Sequence, residues 1–158
     1  LPWADALYAC DQSWWEKNKE LWQDFGGLKF TWSRQAANLY GLMYTPGTKA
    51  DGLGKVHIHA GGSSGYMAVG LAYLLGAAEI YLLGFDMQMT GGKTHFFGDH
   101  KKTSNPTSDM LSKWVLCFND IWADLDAIGI PLINCTRATA LTIPKMQLED
   151  AINAPKPR

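Results

Sequence analysis

The sequence predicts an α/β fold: an open, mostly parallel sheet with helices on both faces. Three observations carry this. Between Val56 and Asn134 the pattern runs strand, helix, strand, loop, helix, strand, an alternation that marks parallel strands joined by crossover helices. The segment Ser64 to Leu75 (SGYMAVGLAYLL) is apolar nearly all round, as in a helix buried between a sheet and its neighbours. The turn Gly61-Gly62-Ser63-Ser64-Gly65 leads a short extended run into that helix. Together these describe a Rossmann-like unit, and the 158 residues are read as one such domain, 1–158.

Ala4 to Cys10 (ADALYAC) is a short apolar run closed by Asp11. It reads as a buried strand with a carboxylate at its C-terminal end, the end where open α/β sheets bind ligands. Ser13 is placed to cap a helix starting at Trp14 and stopping before Gly26-Gly27. Leu28 to Trp32 is a second strand, Ser33 to Tyr40 a short helix ended by Gly41, and Leu42 to Tyr44 a third strand. Thr45 to Lys55, with one Pro and three Gly, reads as a surface loop. Val56 to His59 is extended. After the buried helix and its stop at Gly76, Glu79 to Leu83 (EIYLL) is the best strand, followed by Gly84-Phe85-Asp86. Residues 87–106 form a long polar loop of the kind that often carries function. From Ser108 to Ile128 apolar residues recur at spacings of three and four, predicting an amphipathic helix capped by Thr107 or Ser108 and stopped by Gly129. Ile130 to Asn134 is the next strand, and Leu148 to Ile152 a last helical turn.

Composition narrows the function. The formal net charge of −1 offers no basic field for a phosphate backbone, so nucleic acid is excluded as an expected partner. Lys101-Lys102 and Lys156-Pro157-Arg158 are too small to change that. Cys10, Cys117 and Cys135 lie far apart without a CxxC pair, so three free thiols in a reducing, cytoplasmic compartment are expected. No membrane-spanning segment or signal peptide is visible. The start at Leu1-Pro2-Trp3 suggests a fragment, a processed product or a trimmed piece. Seven Trp could fill a core, line a cleft or form an interface.

Several residues could carry chemistry. At Gly61, Gly62, Ser63, Ser64 and Gly65, adjacent glycines allow close ligand approach, the helix start leaves amide donors open, and two serines add hydroxyls. The turn is neither GxGxxG nor a Walker loop, and a Ser-capped strand-to-helix turn explains it as well. Asp86 and Asp11 each stand at a strand's C-terminal end. Asp86 could bind a ribose hydroxyl, orient a loop or hold a metal, and a helix-cap or turn role explains it as well. The stretch Gly91 to His100 (GGKTHFFGDH) is the densest polar cluster. His95 and His100 suit acid–base work near neutral pH, and Lys93 could neutralise a leaving phosphate. A metal reading of His95, Asp99 and His100 lacks the spacing of zinc sites, so no metal is expected. His57 and His59 share one face of an extended run, and Arg137 follows a strand; both are as well explained structurally.

Gly61 to His100 resembles the core of the MptE-like proteins, a Rossmann-type family related to 6-hydroxymethylpterin diphosphokinase and to a family linked with flagellin glycosylation. The shared features are the Gly-Gly-Ser turn, the apolar helix ending in Leu-Gly-Ala, the strand ending in Gly-x-Asp and the Gly-Lys-Thr-His stretch. The segment is also similar to a bacterial sialyltransferase family, through Glu79-Ile80-Tyr81-Leu82-Leu83-Gly84-Phe85-Asp86 and His95-Phe96-Phe97-Gly98-Asp99-His100. Likeness to phage- and prophage-borne proteins extends into Ala4–Asp11 and Cys135–Asp150. The resemblance implies a nucleotide or nucleotide-sugar ligand held by Ser63, Ser64 and Gly65. It makes His100 the first choice of base and His95 the second, with Asp99 inserted before His100. Two features depart from the pattern. Gly61-Gly62 stand where the sialyltransferases have an Arg near the turn. The relatives' first strand and its nucleotide-binding turn are expected to be missing.

Two functions follow as expectations. One is a nucleotide-dependent transferase, glycosyltransferase-like or diphosphokinase-like. The other is a non-catalytic phage-associated binding or assembly domain that kept the fold, lost the activity and works as a homo-oligomer.

Overall fold

The structure is a computed structural model and describes residues 3–95, 98–100 and 104–154. Phe96, Phe97 and the basic clusters at 101–102 and 156–158 lie outside the described residues.

The fold is α/β with parallel strand ladders. β1 (Ala6–Tyr8), β2 (Leu28–Thr31) and β3 (Met43–Tyr44) form a parallel sheet in that order, with Tyr8 opposite Phe30 and Phe30 opposite Met43. β4 (Gly47–Thr48) pairs in parallel with β5 (Ile58–His59), and β6 (Ile80–Leu82) with β7 (Leu132–Asn134). Beyond β7 the chain returns alongside it: Asn134 donates its amide to Pro144 O at 2.8 Å, and Met146 donates to Asn134 O at 3.2 Å.

Strand alternation explains the covering on both faces. Leu7 and Ala9 pack on one side with Trp15, Trp22, Ala36 and Ala37, which come from α1 (Gln12–Lys17), α2 (Lys19–Trp22) and α3 (Arg34–Tyr40). Tyr8 and Cys10 join the cluster of Phe30, Ile58, Met67 and Leu71, the last two from α4 (Ser64–Leu74). A third cluster unites α4 with α5 (Ser108–Ala127) over β6 and β7, around Tyr66, Phe118, Ile121, Leu125 and Leu132. A short helix, α6 (Leu148–Asn153), follows.

The caps follow the sequence closely. The side chains of Ser33, Ser63 and Thr107 accept from the amides of Ala36, Tyr66 and Met110 and so start α3, α4 and α5. Two expectations need correction. The first helix starts earlier, with Asp11 rather than Ser13 at its N-cap, and it breaks at Asn18. The Asn18 side chain donates to Trp14 O at 2.8 Å and competes with the helical ladder. The loop 45–55 also contains a strand, β4, held by Ile58 N to Pro46 O and Ala60 N to Thr48 O, each 3.0 Å.

Most tryptophans whose role composition left open serve the core. Trp14, Trp15, Trp22 and Tyr40 form a chain of edge-on and tilted rings with centroids 5.2–5.5 Å apart. Trp15 Nε1 donates to Ala9 O and Trp22 Nε1 to Trp15 O, so both buried indoles are satisfied. No helix among the described residues is long and apolar enough to cross a membrane.

Candidate functional site

The C-terminal end of β1 and the N-terminus of α4 meet. Cys10 donates its amide to Ser64 Oγ at 3.3 Å, and the Cys10 thiol lies 3.0 Å from the same oxygen. The turn before α4 is built on glycine. Gly61 and Gly62 have φ of +46° and +86°, a region that L side chains rarely adopt. A Cβ on Gly61 would enter the Tyr66 ring, and one on Gly62 would sit 2.7 Å from Trp114 Nε1. Side chains are therefore excluded here for two reasons, backbone conformation and contact.

Above this turn lies a cavity of about 430 Å³. It collects Asp11 from the end of β1, Gly62, Ser63 and Ser64 from the turn, and His95 and His100 from the long loop. Six residues singled out in the sequence thus share one cavity. Its volume falls in the range of small-molecule sites. Ser63 Oγ accepts from Tyr66 N at 3.2 Å and Met67 N reaches Ser63 O at 3.1 Å. This leaves the amides of Ser64 and Gly65 as first-turn donors with no acceptor among the described residues. Ser63 accepts through its oxygen and keeps its hydroxyl hydrogen for a ligand.

The His95 and His100 rings lie 4.3 Å apart by centroid, tilted by 57°. His95 is half-buried and its Nε2 is enclosed. Burial, and then the neighbouring His100, push the His95 pKa below its ordinary value, while Asp99 and Asp86 pull the other way. Its ring is therefore neutral at neutral pH and able to accept a proton. Asn105 fixes the loop by accepting from His100 N at 2.7 Å, and Thr94 donates to Asp99 Oδ1 at 2.9 Å. Burial raises the Cys10 thiol to about 11, so it stays protonated at neutral pH.

Other candidate residues are placed elsewhere. Asp86 lines an adjoining cavity of about 330 Å³ that shares His95, Pro106 and Trp114 with the first. Gly61 lines a third, on the far side of Gly62. Gly65 is a packing position, where a Cβ would lie 2.8 Å from the Phe85 ring. Lys93 is exposed in a tight turn paired with Thr90 and does not line the cavities described here.

The sequence did not single out the other lining residues, among them Cys10, Lys17, Asn105 and Trp114. It also missed the support beneath Asp86. Buried Asn134 accepts from Thr136 N at 2.9 Å and donates to Thr139 Oγ1 at 3.1 Å. Thr136 Oγ1 accepts from Phe85 N at 2.9 Å, and Thr139 Oγ1 donates to Phe85 O at 2.6 Å. Next to Asp86, Met87 holds a φ of +49°, the one positive value among described non-glycine residues. His57 and His59 have structural partners, Thr48 Oγ1 at 3.3 Å and Asp51 O at 2.9 Å. No group of three or more metal-ligating side chains occurs among the described residues.

No family model, curated protein or solved structure matches the chain.

Proposed function

We propose that the cavity between the α4 turn and the histidine loop is the site of a nucleotide-dependent transferase. The observation that carries this reading is that cavity itself: it sets Ser63, Ser64 and the start of α4 against His95 and His100, which lie some thirty positions later in the chain. The helix start and the Ser63 hydroxyl suit the phosphate of a nucleotide or nucleotide-sugar donor. The histidines suit the acceptor. His100, with His95 beside it, takes the proton of an acceptor hydroxyl as that oxygen bonds to the transferred group. The bond from that group to the donor's phosphate oxygen breaks, and its electron pair leaves with the phosphate. The α4 amides stabilise the charge that develops there. The resemblance to the MptE-like and sialyltransferase families points to the same reaction class.

The test is a thermal-shift screen against CMP, CDP, UDP, ATP and GTP at millimolar levels. Stabilisation by at least one nucleotide, lost in Ser63→Ala combined with His100→Gln, is expected. No stabilisation by any of them refutes the reading.

A second reading is a binding or assembly domain without chemistry. It is favoured by the structural duties of both serines, Ser63 as a helix cap and Ser64 as the partner of Cys10. Self-association in light scattering, together with no nucleotide response, would select it.

A further inference from the structure

A second cavity, of about 410 Å³, lies on the other side of Gly62. The two cavities share Gly62, Met110 and Trp114, so they adjoin across a residue without a side chain. Lys49 and Lys113 line the second cavity from opposite parts of the chain, one before β5 and one on α5. Asp51 is the acidic group in its lining, and its Oδ1 faces the Cys117 thiol at 3.5 Å. The charged lining is two ammonium groups against one carboxylate, and Asp120 is close enough to act on the Cys117 thiol of the same lining. Trp114 supplies an aromatic wall.

The loop that carries Lys49 is fixed in place. Gly61 N donates to Ala50 O at 3.3 Å, Tyr66 Oη to Gly52 O at 2.7 Å, and Leu53 N to Asp124 Oδ2 at 2.7 Å. These bonds tie the loop to the turn, to α4 and to α5. A pocket with an aromatic wall and a positive rim suits a flat ligand that carries an anionic group.

We infer that this cavity binds a small aromatic or planar anion, with its flat body on Trp114 and its charge between Lys49 and Lys113. As the second-ligand site of a transferase it rests on the function proposed above; as a ligand site it is tested separately. The probe is anilinonaphthalene sulfonate, with neutral N-phenylnaphthylamine as its uncharged counterpart, each titrated by fluorescence against the whole chain. Both lysines are exposed, so replacing them leaves the core untouched. The expected result is saturable binding of the sulfonate at one site, weakened about fivefold or more by Lys49→Gln with Lys113→Gln. Ala50→Trp, which fills this cavity and not the first, abolishes it. The neutral probe responds to Ala50→Trp and not to the lysine changes. Equal sulfonate affinity in the native chain and the double-lysine variant, or no saturable binding, overturns the inference. Nucleotide stabilisation measured in the native chain reads the first cavity. Its absence alongside lysine-dependent dye binding would remove the nucleotide reading and leave this site standing.

Discussion

Asn134→Ala should be among the most costly single changes near the site. Asn134 is fully buried at the end of β7. Its side chain accepts from Thr136 N and donates to Thr139 Oγ1. Two lost hydrogen bonds cost about 1 kcal/mol each, and stranding the buried Thr136 amide adds about 1–2 kcal/mol, for about 3–4 kcal/mol in all. Asn134→Asp sharpens the test. Thr139 Oγ1 already spends its hydrogen on Phe85 O and also accepts from Leu141 N. A carboxylate at this position would set oxygen lone pairs against oxygen lone pairs. The expected loss is as large as for alanine at neutral pH, and smaller in acid, where a protonated carboxyl regains a donor. Urea denaturation followed by tryptophan fluorescence measures both. A loss below about 1 kcal/mol for Asn134→Ala would refute the claim that this amide holds the segment Gly84–Asp86.

Gly62→Ala should destabilise by about 2 kcal/mol or more, from a left-handed backbone and the contact with Trp114, as read by the urea midpoint. Ser63→Ala should cost about 1 kcal/mol through loss of the α4 cap, and Ser63→Gly only a few tenths. His95 gives a pH prediction. Its native pKa lies below the ordinary 6.5, so the unfolded chain binds the proton more readily. The stability that this ring contributes is whole above about 6.5 and falls as the pH drops through that value towards the native pKa. His95→Gln should flatten this part of the stability–pH curve, and an unchanged curve would contradict the burial argument. The Cys10 thiol, raised to about 11, should react with iodoacetamide at neutral pH far more slowly than a free cysteine.

The strands, the long helices and their caps were legible because they rest on local physics. Alternating Leu7, Tyr8, Ala9 and Cys10 specify two buried faces, and Ser33, Ser63 and Thr107 specify helix starts. The break at Asn18 was not legible, because one side-chain hydrogen bond decides it. β4 was hidden in a glycine-rich loop because its two residues become a strand only through backbone pairing with β5. The site was half legible. Residue type and position at strand ends pointed to Asp11, the α4 turn, His95 and His100, and the fold gathers them. The same reasoning grouped Asp86 and Lys93 with them, but the segment after β6 bends at Met87 into the neighbouring cavity, and a two-residue turn carries Lys93 outwards. Trp114 carried no local signal, since only the packing of α5 across Gly62 makes it a wall.

The most direct test of the central claim is an NMR titration of the histidine ring resonances with CMP, UDP and ATP. The proposed function, with His95 and His100 as bases beside a turn that holds phosphate, predicts saturable shifts of both rings with at least one nucleotide. His57, bound to Thr48 and lining neither cavity, should stay unmoved. Nucleotide at millimolar levels that leaves His95 and His100 where they were would contradict the account.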